Sequence, residues 1–207
     1  MKEMHGIDLS KHNRVTSFAE VAREKDFVIL RAGGNFNGFY RDSRFEEYYA
    51  SCKRHNIPVG AYYDAGKEFI GEQKGIEYAR HFIKLLSCKN FEFPVYLDIE
   101  VTPRQHKKEI TKAAIAFCST MEEVGYFTGI YASDISGFKE LLDITKVARF
   151  SFWVARYGSK PSYVRHYGIW QHSSKGSVPG IIGNVDLDIC YQNFPKIIKG
   201  AKLNGYN

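Results

Sequence analysis

The chain is 207 residues long with a formal net charge of +6; 44% of its residues are hydrophobic and 25% are charged. These values are ordinary for a globular protein and exclude a disordered, collagenous or coiled-coil chain. The length of 207 residues suits one domain that buries its core without disulfides. No apolar run reaches the roughly 18 residues that would predict a transmembrane helix.

The charge of the chain is basic, with 29 Lys and Arg against 23 Asp and Glu. This balance allows contact with an anionic partner such as a cell-wall polymer, and plain solubility is the alternative interpretation. No nucleic-acid-binding motif is present. The first residues lack the apolar segment of a signal peptide, so either the protein is not exported by a cleaved signal or its leader is absent from this chain. The cysteines are widely spaced and are expected to be free buried thiols: Cys52, Cys88, Cys118 and Cys190.

Eight short apolar runs have the length of strands, and amphipathic helical patterns separate the first five. We expect strands at 6–9, 27–32, 59–63, 95–99, 128–132, 150–155, 168–171 and 185–190. Helices are expected at 43–56 with a Ser43 cap, at 68–87, at 107–124 before a terminating Gly125, and in a short piece within 196–207.

The alternation of strands and helices predicts βαβ units and a parallel sheet. Helical patterns become scarce beyond about residue 145, so the last third is expected to be mostly β. Eight strands favour a closed α/β barrel with irregular late connections. An open doubly wound sheet is the alternative.

Acidic side chains gather at the expected C-terminal ends of strands, where parallel α/β barrels place reactive groups. The sharpest signal is Asp98 and Glu100, because the two-residue period puts both on one strand face, with Cα atoms about 6.6 Å apart. Two carboxyls this close cannot both ionise freely, so one pKa is expected to rise, as a general acid requires. A metal site and a structural ion pair are the alternatives. Asp8 and Asp64 also lie at strand ends, and Asp186 and Asp188 lie in the last strand.

Motifs for cofactors and metals are weak. The histidines show no metal-ligand spacing, which disfavours zinc strongly and magnesium or calcium moderately, and we expect no metal. The glycine-rich segment 31–38 lacks the spacing and the lysine of a phosphate loop, so a wide turn is predicted there. Rings and an amide near strand ends suggest a carbohydrate groove, although each alone is more typical of core packing: Tyr62, Tyr131, Trp153, Tyr157, Trp170 and Gln171.

Nine segments in order carry a resemblance that covers about residues 5–191. They lie at 6–10, 27–32, 42–45, 57–62, 94–100, 129–131, 152–157, 170–171 and 180–188. Together they resemble the glycoside hydrolase family 25 lysozymes, the Chalaropsis-type muramidases that include many phage endolysins. The resemblance implies an irregular TIM-like barrel of five β/α units followed by three strands with few helices. For the chain itself we expect a single catalytic domain over 1–207 without a separate cell-wall-binding module.

The resemblance implies hydrolysis of the β-1,4 bond between N-acetylmuramic acid and N-acetylglucosamine. The substrate would be bacterial peptidoglycan, cleaved at the cell wall by a monomer that needs no cofactor. Glu100 would be the general acid and Asp98 would assist it, while Asp8 and Asp186 would complete the catalytic acids. We expect substrate contacts from Tyr62, Arg31, Tyr131, Trp153, Trp170, Gln171 and Asp64.

Three positions depart from the family pattern. Tyr-Asp at 63–64 stands where His-Phe is usual, Gly-Gly-Asn at 33–35 replaces the common Thr-Glu-Gly, and Asp188 replaces an Asn. These departures bear on the shape and charge of the substrate cleft. Two other functions stay open, a metal-dependent phosphodiesterase on a similar barrel and a non-catalytic domain that binds wall glycan.

Overall fold

A computed structural model of the chain describes residues 3–100 and 106–206. Residues 1–2, 101–105 and 207 lie outside this part, including both ends of the predicted domain over 1–207. Within the described residues, no helix has the length and apolar character needed to cross a membrane.

The described strands and helices follow one another along the chain. The strands are β1 (Met4–Leu9), β2 (Arg14–Val15), β3 (Phe27–Asn35), β4 (Phe39–Arg41), β5 (Val59–Asp64), β6 (Val95–Asp98), β7 (Thr128–Ser133), β8 (Ser151–Ala155), β9 (Ile169–Gly176), β10 (Ile181–Ile182) and β11 (Val185–Cys190). The helices are α1 (Phe18–Glu24), α2 (Phe45–Arg54), α3 (Glu72–Leu86), α4 (Lys107–Glu123), α5 (Ile144–Val147) and α6 (Phe194–Gly200), with a π-helix at Asp134–Lys139.

Eight of these strands close into a barrel in the order β1, β3, β5, β6, β7, β8, β9 and β11, and β11 pairs with β1. Neighbours from β1 to β9 run parallel. Strand β11 is antiparallel to both β9 and β1. The predicted irregular TIM-like barrel is confirmed, each predicted strand overlaps one barrel strand, and the open sheet is excluded. Outside the barrel, β4 pairs with the end of β3, and β2 pairs with β10.

Helices α2, α3 and α4 lie within the predicted helical segments, but the cap of α2 differs from the prediction. The backbone N–H of Arg44 donates to Asp42 Oδ1 at 2.9 Å, and that of Phe45 donates to the Asp42 carbonyl at 3.1 Å. Asp42, not Ser43, therefore satisfies the first amides of this helix. Gly125 ends α4 as predicted, with φ of +86°, a backbone conformation that favours glycine.

The late helices were predicted poorly. α6 begins at Phe194, ahead of the predicted 196, because Asn193 caps it by accepting from the Lys196 N–H at 3.1 Å. The helices α1 and α5 and the π-helix were not predicted, since each is too short to display a helical period.

The barrel interior below the acidic rim is filled with aromatic rings. Phe27 and Phe93 stack with centroids 4.3 Å apart, and Tyr96 packs edge-on against Trp153 at 5.4 Å. Gly6 makes room for this packing, because a Cβ there would lie 2.4 Å from the Phe27 ring. The filled interior leaves the rim as the place where a ligand can reach the barrel's inward side chains.

The glycine-rich segment is a strand end and not a loop. Strand β3 continues to Asn35, and the turn to β4 lies at 36–38. Gly33 is needed because a Cβ there would sit 2.2 Å from the Tyr40 carbonyl oxygen. The wide turn predicted over 31–38 is therefore restricted to its last three residues.

All four cysteines are free, as predicted. Cys52, Cys118 and Cys190 are buried, whereas Cys88 is exposed. The prediction of a buried Cys88 was wrong because this residue lies in the turn after α3, with φ of +59°.

Candidate active site

Four acidic side chains meet at one rim of the barrel. β1 and β6 bring Asp8 and Asp98 to this rim with their C-terminal ends, and Glu100 follows β6. Because β11 is antiparallel, it brings Asp186 to the same rim with its beginning, directly opposite Asp8. The four acids line a pocket of about 80 Å³ together with Tyr62, Tyr131, Trp153 and Gln171. All four predicted catalytic acids therefore share one pocket.

Asp98 is the buried member of the predicted pair. It is 7% exposed, and its Oδ1 atom has no hydrogen-bond partner among the described residues. Burial, followed by the nearby charges of Glu100 and Asp64, raises the pKa of Asp98 well above its usual range. The protein therefore leaves acceptor capacity on this carboxyl unused, and its charged form is costly without a ligand.

Glu100 is exposed and lines the same pocket. Loss of hydration in this pocket, followed by the nearby charge of Asp64, raises the pKa of the Glu100 carboxyl. The hydroxyl of Tyr131 lies 3.5 Å from Glu100 Oε1, a long contact that favours the ionised form only weakly. A carboxyl that reaches solvent and holds its proton more tightly than usual fits a general acid.

Gln171 links the acids to two tyrosines. Its Nε2 donates to Asp8 Oδ2 at 2.8 Å. Its Oε1 accepts from Tyr131 at 2.9 Å and from Tyr157 at 3.1 Å. Burial and then the charge of Asp188 raise the pKa of Asp8 well above its usual range. The Gln171 amide fixes the orientation of the Asp8 carboxyl. It also fixes the Tyr131 hydroxyl, which lies beside Glu100.

Asp188 lies beneath this layer, inside the barrel. It is 1% exposed, and its Oδ1 accepts from Trp153 Nε1 at 2.8 Å. Its Oδ2 is buried, and the side chain also lies within hydrogen-bond reach of the Asp8 carboxyl. Burial raises the pKa of Asp188 to about 8. The residue that stands in place of the family's usual Asn therefore supports the pocket from below and does not line it.

Replacing Asp188 with Asn is expected to increase stability progressively as pH rises. The Asp188 pKa of about 8 in the folded chain lies above the value of about 3.9 for an unfolded Asp. Between about pH 4 and pH 8 the folded chain holds more protons here than the unfolded chain, so the contribution of Asp188 to the free energy of unfolding falls with rising pH. Asn accepts from Trp153 without titrating.

Urea unfolding of the Asp188→Asn chain and the original chain at several pH values measures this difference. We expect the two free energies of unfolding to be close near pH 4 and to separate, in favour of the variant, towards pH 8. Glu123→Gln, at the exposed end of α4, is the control for removal of a surface carboxyl. An Asp188→Asn difference that is independent of pH would contradict the raised pKa.

Aromatic side chains form the base of the pocket. Trp153 is 1% exposed and packs against Tyr131 at 4.4 Å and Tyr62 at 6.0 Å between ring centroids. With so little open surface, Trp153 mainly holds its aromatic neighbours in place. Tyr62 is half-buried and lines the pocket directly.

Arg31 and Asp64, both predicted to contact substrate, lie in a neighbouring cleft. Register pairs Arg31 with Tyr62 and Asp64 with Asp98, so this cleft adjoins the acid pocket. Arg31 Nε donates to Asp42 Oδ2 at 2.7 Å, and Asp64 Oδ2 accepts from Tyr40 at 3.1 Å. The cleft has a volume of about 510 Å³.

Trp170, also predicted to contact substrate, is not among the residues that line the acid pocket. Strand side chains alternate, so Gln171 faces the interior while Trp170 faces outwards. Trp170 is in register with Val154, which packs in the outer core between strands and helices. Its Nε1 donates to the Arg156 carbonyl at 2.8 Å.

Sequence reasoning missed further residues of the neighbouring cleft. Lys11, Phe36 and Tyr40 line it, and Phe36 is 63% exposed at the turn between β3 and β4. The position of Lys11, two residues beyond β1, was a usable signal because loops after barrel strands form the active rim. Of the two residues at 63–64 that depart from the family pattern, Tyr63 points outwards, and its hydroxyl lies 2.9 Å from His81 Nδ1. Only Asp64 therefore changes the cleft.

Metal binding has no visible centre in the part of the chain that the structure describes. No group of three or more His, Cys, Asp or Glu there has an arrangement that could hold a metal ion.

Comparison with known proteins agrees with this geometry. The profile described as glycosyl hydrolases family 25 matches residues 7–181. The autolytic lysozyme of Clostridium acetobutylicum is 27% identical over 186 residues, which is 89% of this chain and 55% of that protein. The chain thus spans about half the length of this curated relative.

Solved structures give the same fold. The crystal structure of the CTP1L endolysin has a TM-score of 0.79 and 28% identity, covering 97% of this chain and 70% of its own. The Clostridium perfringens spore cortex lytic enzyme SleM has a TM-score of 0.79 and 23% identity, covering 92% of this chain and 68% of its own. The profile match extends over most of the barrel and includes Asp8, Asp98 and Glu100. The chain belongs to family 25 of the glycosyl hydrolases.

Proposed function

We propose that the chain is a peptidoglycan hydrolase of the lysozyme type. It cleaves the β-1,4 bond between N-acetylmuramic acid and N-acetylglucosamine, with Glu100 as general acid and Asp98 assisting. The observation that carries the proposal is the pair itself, one buried and one exposed carboxyl on the same face at the end of β6. The relative from Clostridium acetobutylicum, an autolytic lysozyme, supports the same activity.

The reaction begins with the proton of Glu100. The proton passes to the glycosidic oxygen as the bond from C1 to that oxygen breaks, and positive charge develops at C1. The pocket holds three further carboxyl groups, and the electron-rich surroundings they provide stabilise this charge. Glu100, now ionised, later takes a proton from the water that attacks C1.

The position of Asp98 favours help from the substrate itself. Both acids project from one strand end, so neither is placed across the sugar ring for attack from the opposite side. The 2-acetamido oxygen of the substrate forms the first bond to C1, while Asp98 accepts a hydrogen bond from the acetamido N–H. Water then opens this intermediate, and the configuration at C1 is retained. Substrate assistance of this kind is a known exception to the rule of two catalytic carboxylates.

Mass spectrometry of the products tests the bond that is cleaved. Purified peptidoglycan is incubated with the protein, and new reducing ends are reduced with borohydride. We expect reduced N-acetylmuramic acid. Reduced N-acetylglucosamine would keep a glycosidase and change the bond, and the absence of new ends across several wall types would overturn the proposal. The reaction is repeated with EDTA, and loss of activity there would point to a metal-dependent enzyme.

NMR of the first product tests the route. The β anomer should form before mutarotation mixes the two anomers. A first-formed α anomer would mean direct attack by water and would remove the assisting role of Asp98.

We propose that the protein works as a monomer with one catalytic domain and acts on the bacterial wall. Arg31, Asp64 and the exposed Phe36 extend the acid pocket into a cleft of about 510 Å³. A cleft of this size suits the sugars flanking the cleaved bond. Tyr62, Tyr131 and Gln171 complete the contacts nearest to that bond.

A further inference from the structure

A second region of the molecule combines cavities with positive charge. A cleft of about 760 Å³ lies beside α5, and Arg149, Lys160 and Arg165 line it. Ser151 and Gly168 also line this cleft, and they lie at the start of β8 and just before β9. The cleft is therefore at the end of the barrel opposite the acid pocket. No carboxylate belongs to its lining among the described residues.

The other side of α5 carries a second basic cleft. It has a volume of about 500 Å³ and is lined by Lys107, Lys108, Lys112 and Lys146, with Asp143 as its acid among the described residues. Thr145 of α5 lines the first cleft, and Asp143, directly before α5, lines the second. The two clefts are therefore adjacent. We refer to the two clefts together as the α5 basic face.

Several cations of the α5 basic face are available to a ligand. Lys108, Lys160 and Arg165 are exposed and form no ion pair with a carboxylate of the described residues. Lys107 donates to the carbonyl of Lys139 at 2.7 Å, which leaves its charge uncompensated.

The remaining cations pair only at the surface. Lys146 and Asp143, for example, have side chains that are 60% and 36% exposed. Exposed pairs of this kind are weak, so an anionic ligand can compete for them. The α5 basic face therefore presents an excess of positive charge in a concave surface.

Aromatic rings lie beside these cations. Lys160 Nζ is 6.0 Å from the centroid of the Tyr191 ring, and Tyr167 packs edge-on against Tyr191 at 5.7 Å. Rings next to cations suit a ligand that alternates apolar sugar or polyol segments with anionic groups. Stacking of nucleic-acid bases needs open ring faces, whereas Phe150 is buried and Arg149 lies over its ring at 4.1 Å.

We infer that the α5 basic face binds a phosphodiester-linked glycopolymer of the bacterial wall. This inference rests on the proposed function, because the wall is where the enzyme would meet such a polymer. The first cleft lies at the far end of the barrel, so phosphates bound there stay away from the carboxylates of the active site, which would repel them. Binding there would hold the enzyme on the wall while the acid pocket works on the glycan.

The test uses purified teichoic acid of the poly(glycerol phosphate) type and isothermal titration calorimetry with the full chain. Lys160→Gln/Arg165→Gln removes two cations from the face. Arg23→Gln/Arg54→Gln removes two exposed cations from α1 and α2 and is the matched control. A basic side chain near an anionic surface contributes about fivefold in affinity, so the first variant should bind roughly 25-fold more weakly. The control should bind within about twofold of the original chain.

Salt gives a second readout. The slope of log Kd against log salt should fall by about one for each phosphate contact that is lost, so by about two in the first variant. Hydrolysis of wall glycan stripped of teichoic acid should be unchanged in both variants, which separates this inference from the proposed activity. Hydrolysis of intact walls at low enzyme concentration should slow only in the first variant.

Three results would overturn the inference. The first would be no binding of the polymer by the original chain at about 0.1 M salt. The second would be an equal loss of affinity in both variants. The third would be tighter binding of double-stranded DNA than of the polymer at the same face. Absence of glycan hydrolysis in the original chain would instead overturn the proposed function, whatever the binding result.

Discussion

Glu100→Gln is expected to lower kcat by at least about 100-fold on peptidoglycan, because general acid catalysis contributes at least that much. Gln has nearly the same shape but no proton to give to the glycosidic oxygen. The side chain is exposed, so its replacement should leave the melting temperature within a few degrees of the original. Initial rates of reducing-end formation measure the effect.

The leaving group separates lost acid catalysis from general damage. An aryl glycoside with an acidic phenol as leaving group needs little protonation, so Glu100→Gln should retain much more of its activity on that substrate. Glu72→Gln, in the first turn of α3, is the matched control and should keep full activity on both substrates. Activity of Glu100→Gln near that of the original chain on peptidoglycan would reject the assignment.

Asp98→Asn is expected to lower kcat by about 10²- to 10³-fold, as the loss of a preorganised group facing developing charge usually does. The Asp98 carboxylate accepts a hydrogen bond from the acetamido N–H, which makes the acetamido oxygen a better nucleophile. An Asn side chain can instead present its own N–H to the acetamido group, which would oppose this activation. Here an acidic leaving group should rescue little, because bond formation and not protonation is impaired. Asp8→Asn and Asp186→Asn should be milder.

The same substitution should not destabilise the fold at neutral pH. Burial and the nearby acids raise the pKa of Asp98, so ionised Asp98 costs the folded chain free energy as pH rises above its unfolded value of about 3.9. Asn removes that cost. We therefore expect the variant to lose activity while its free energy of unfolding at pH 7 stays equal or rises. A large loss of stability would mean that Asp98 has a structural role.

Much of the barrel could be predicted because its strands are short apolar runs with clear boundaries. The pair Asp98 and Glu100 could be predicted because strand alternation places alternate residues on one face. The same alternation places Trp170 and Gln171 on opposite faces of β9, so the pocket that Gln171 lines does not include Trp170. The strand pattern alone could not place Asp8 and Asp186 in one pocket, and only the family resemblance implied it.

The direction of β11 is the reason that the strand pattern could not place these two residues together. An alternating apolar pattern does not show whether the beginning or the end of a strand lies at the active rim. If β11 were parallel to β1, Asp186 would lie at the end of the barrel opposite to Asp8. The observed antiparallel pairing instead places the two residues side by side. Tertiary contacts also decided the cap of α2, where Asp42 is held by Arg31 as well as by the helix amides.

The pairing of β1 with β11 has a consequence for how the protein folds during synthesis. Asp8 and Asp186 are partners across this pair, although nearly the whole barrel separates them in sequence. Closure must therefore wait until β11 has left the ribosome, and contacts between such distant segments form slowly. The nascent chain cannot assemble its four-acid centre before β11 has been synthesised. The proposed wall-degrading activity would thus stay latent until β11 has been made, with no inhibitor required.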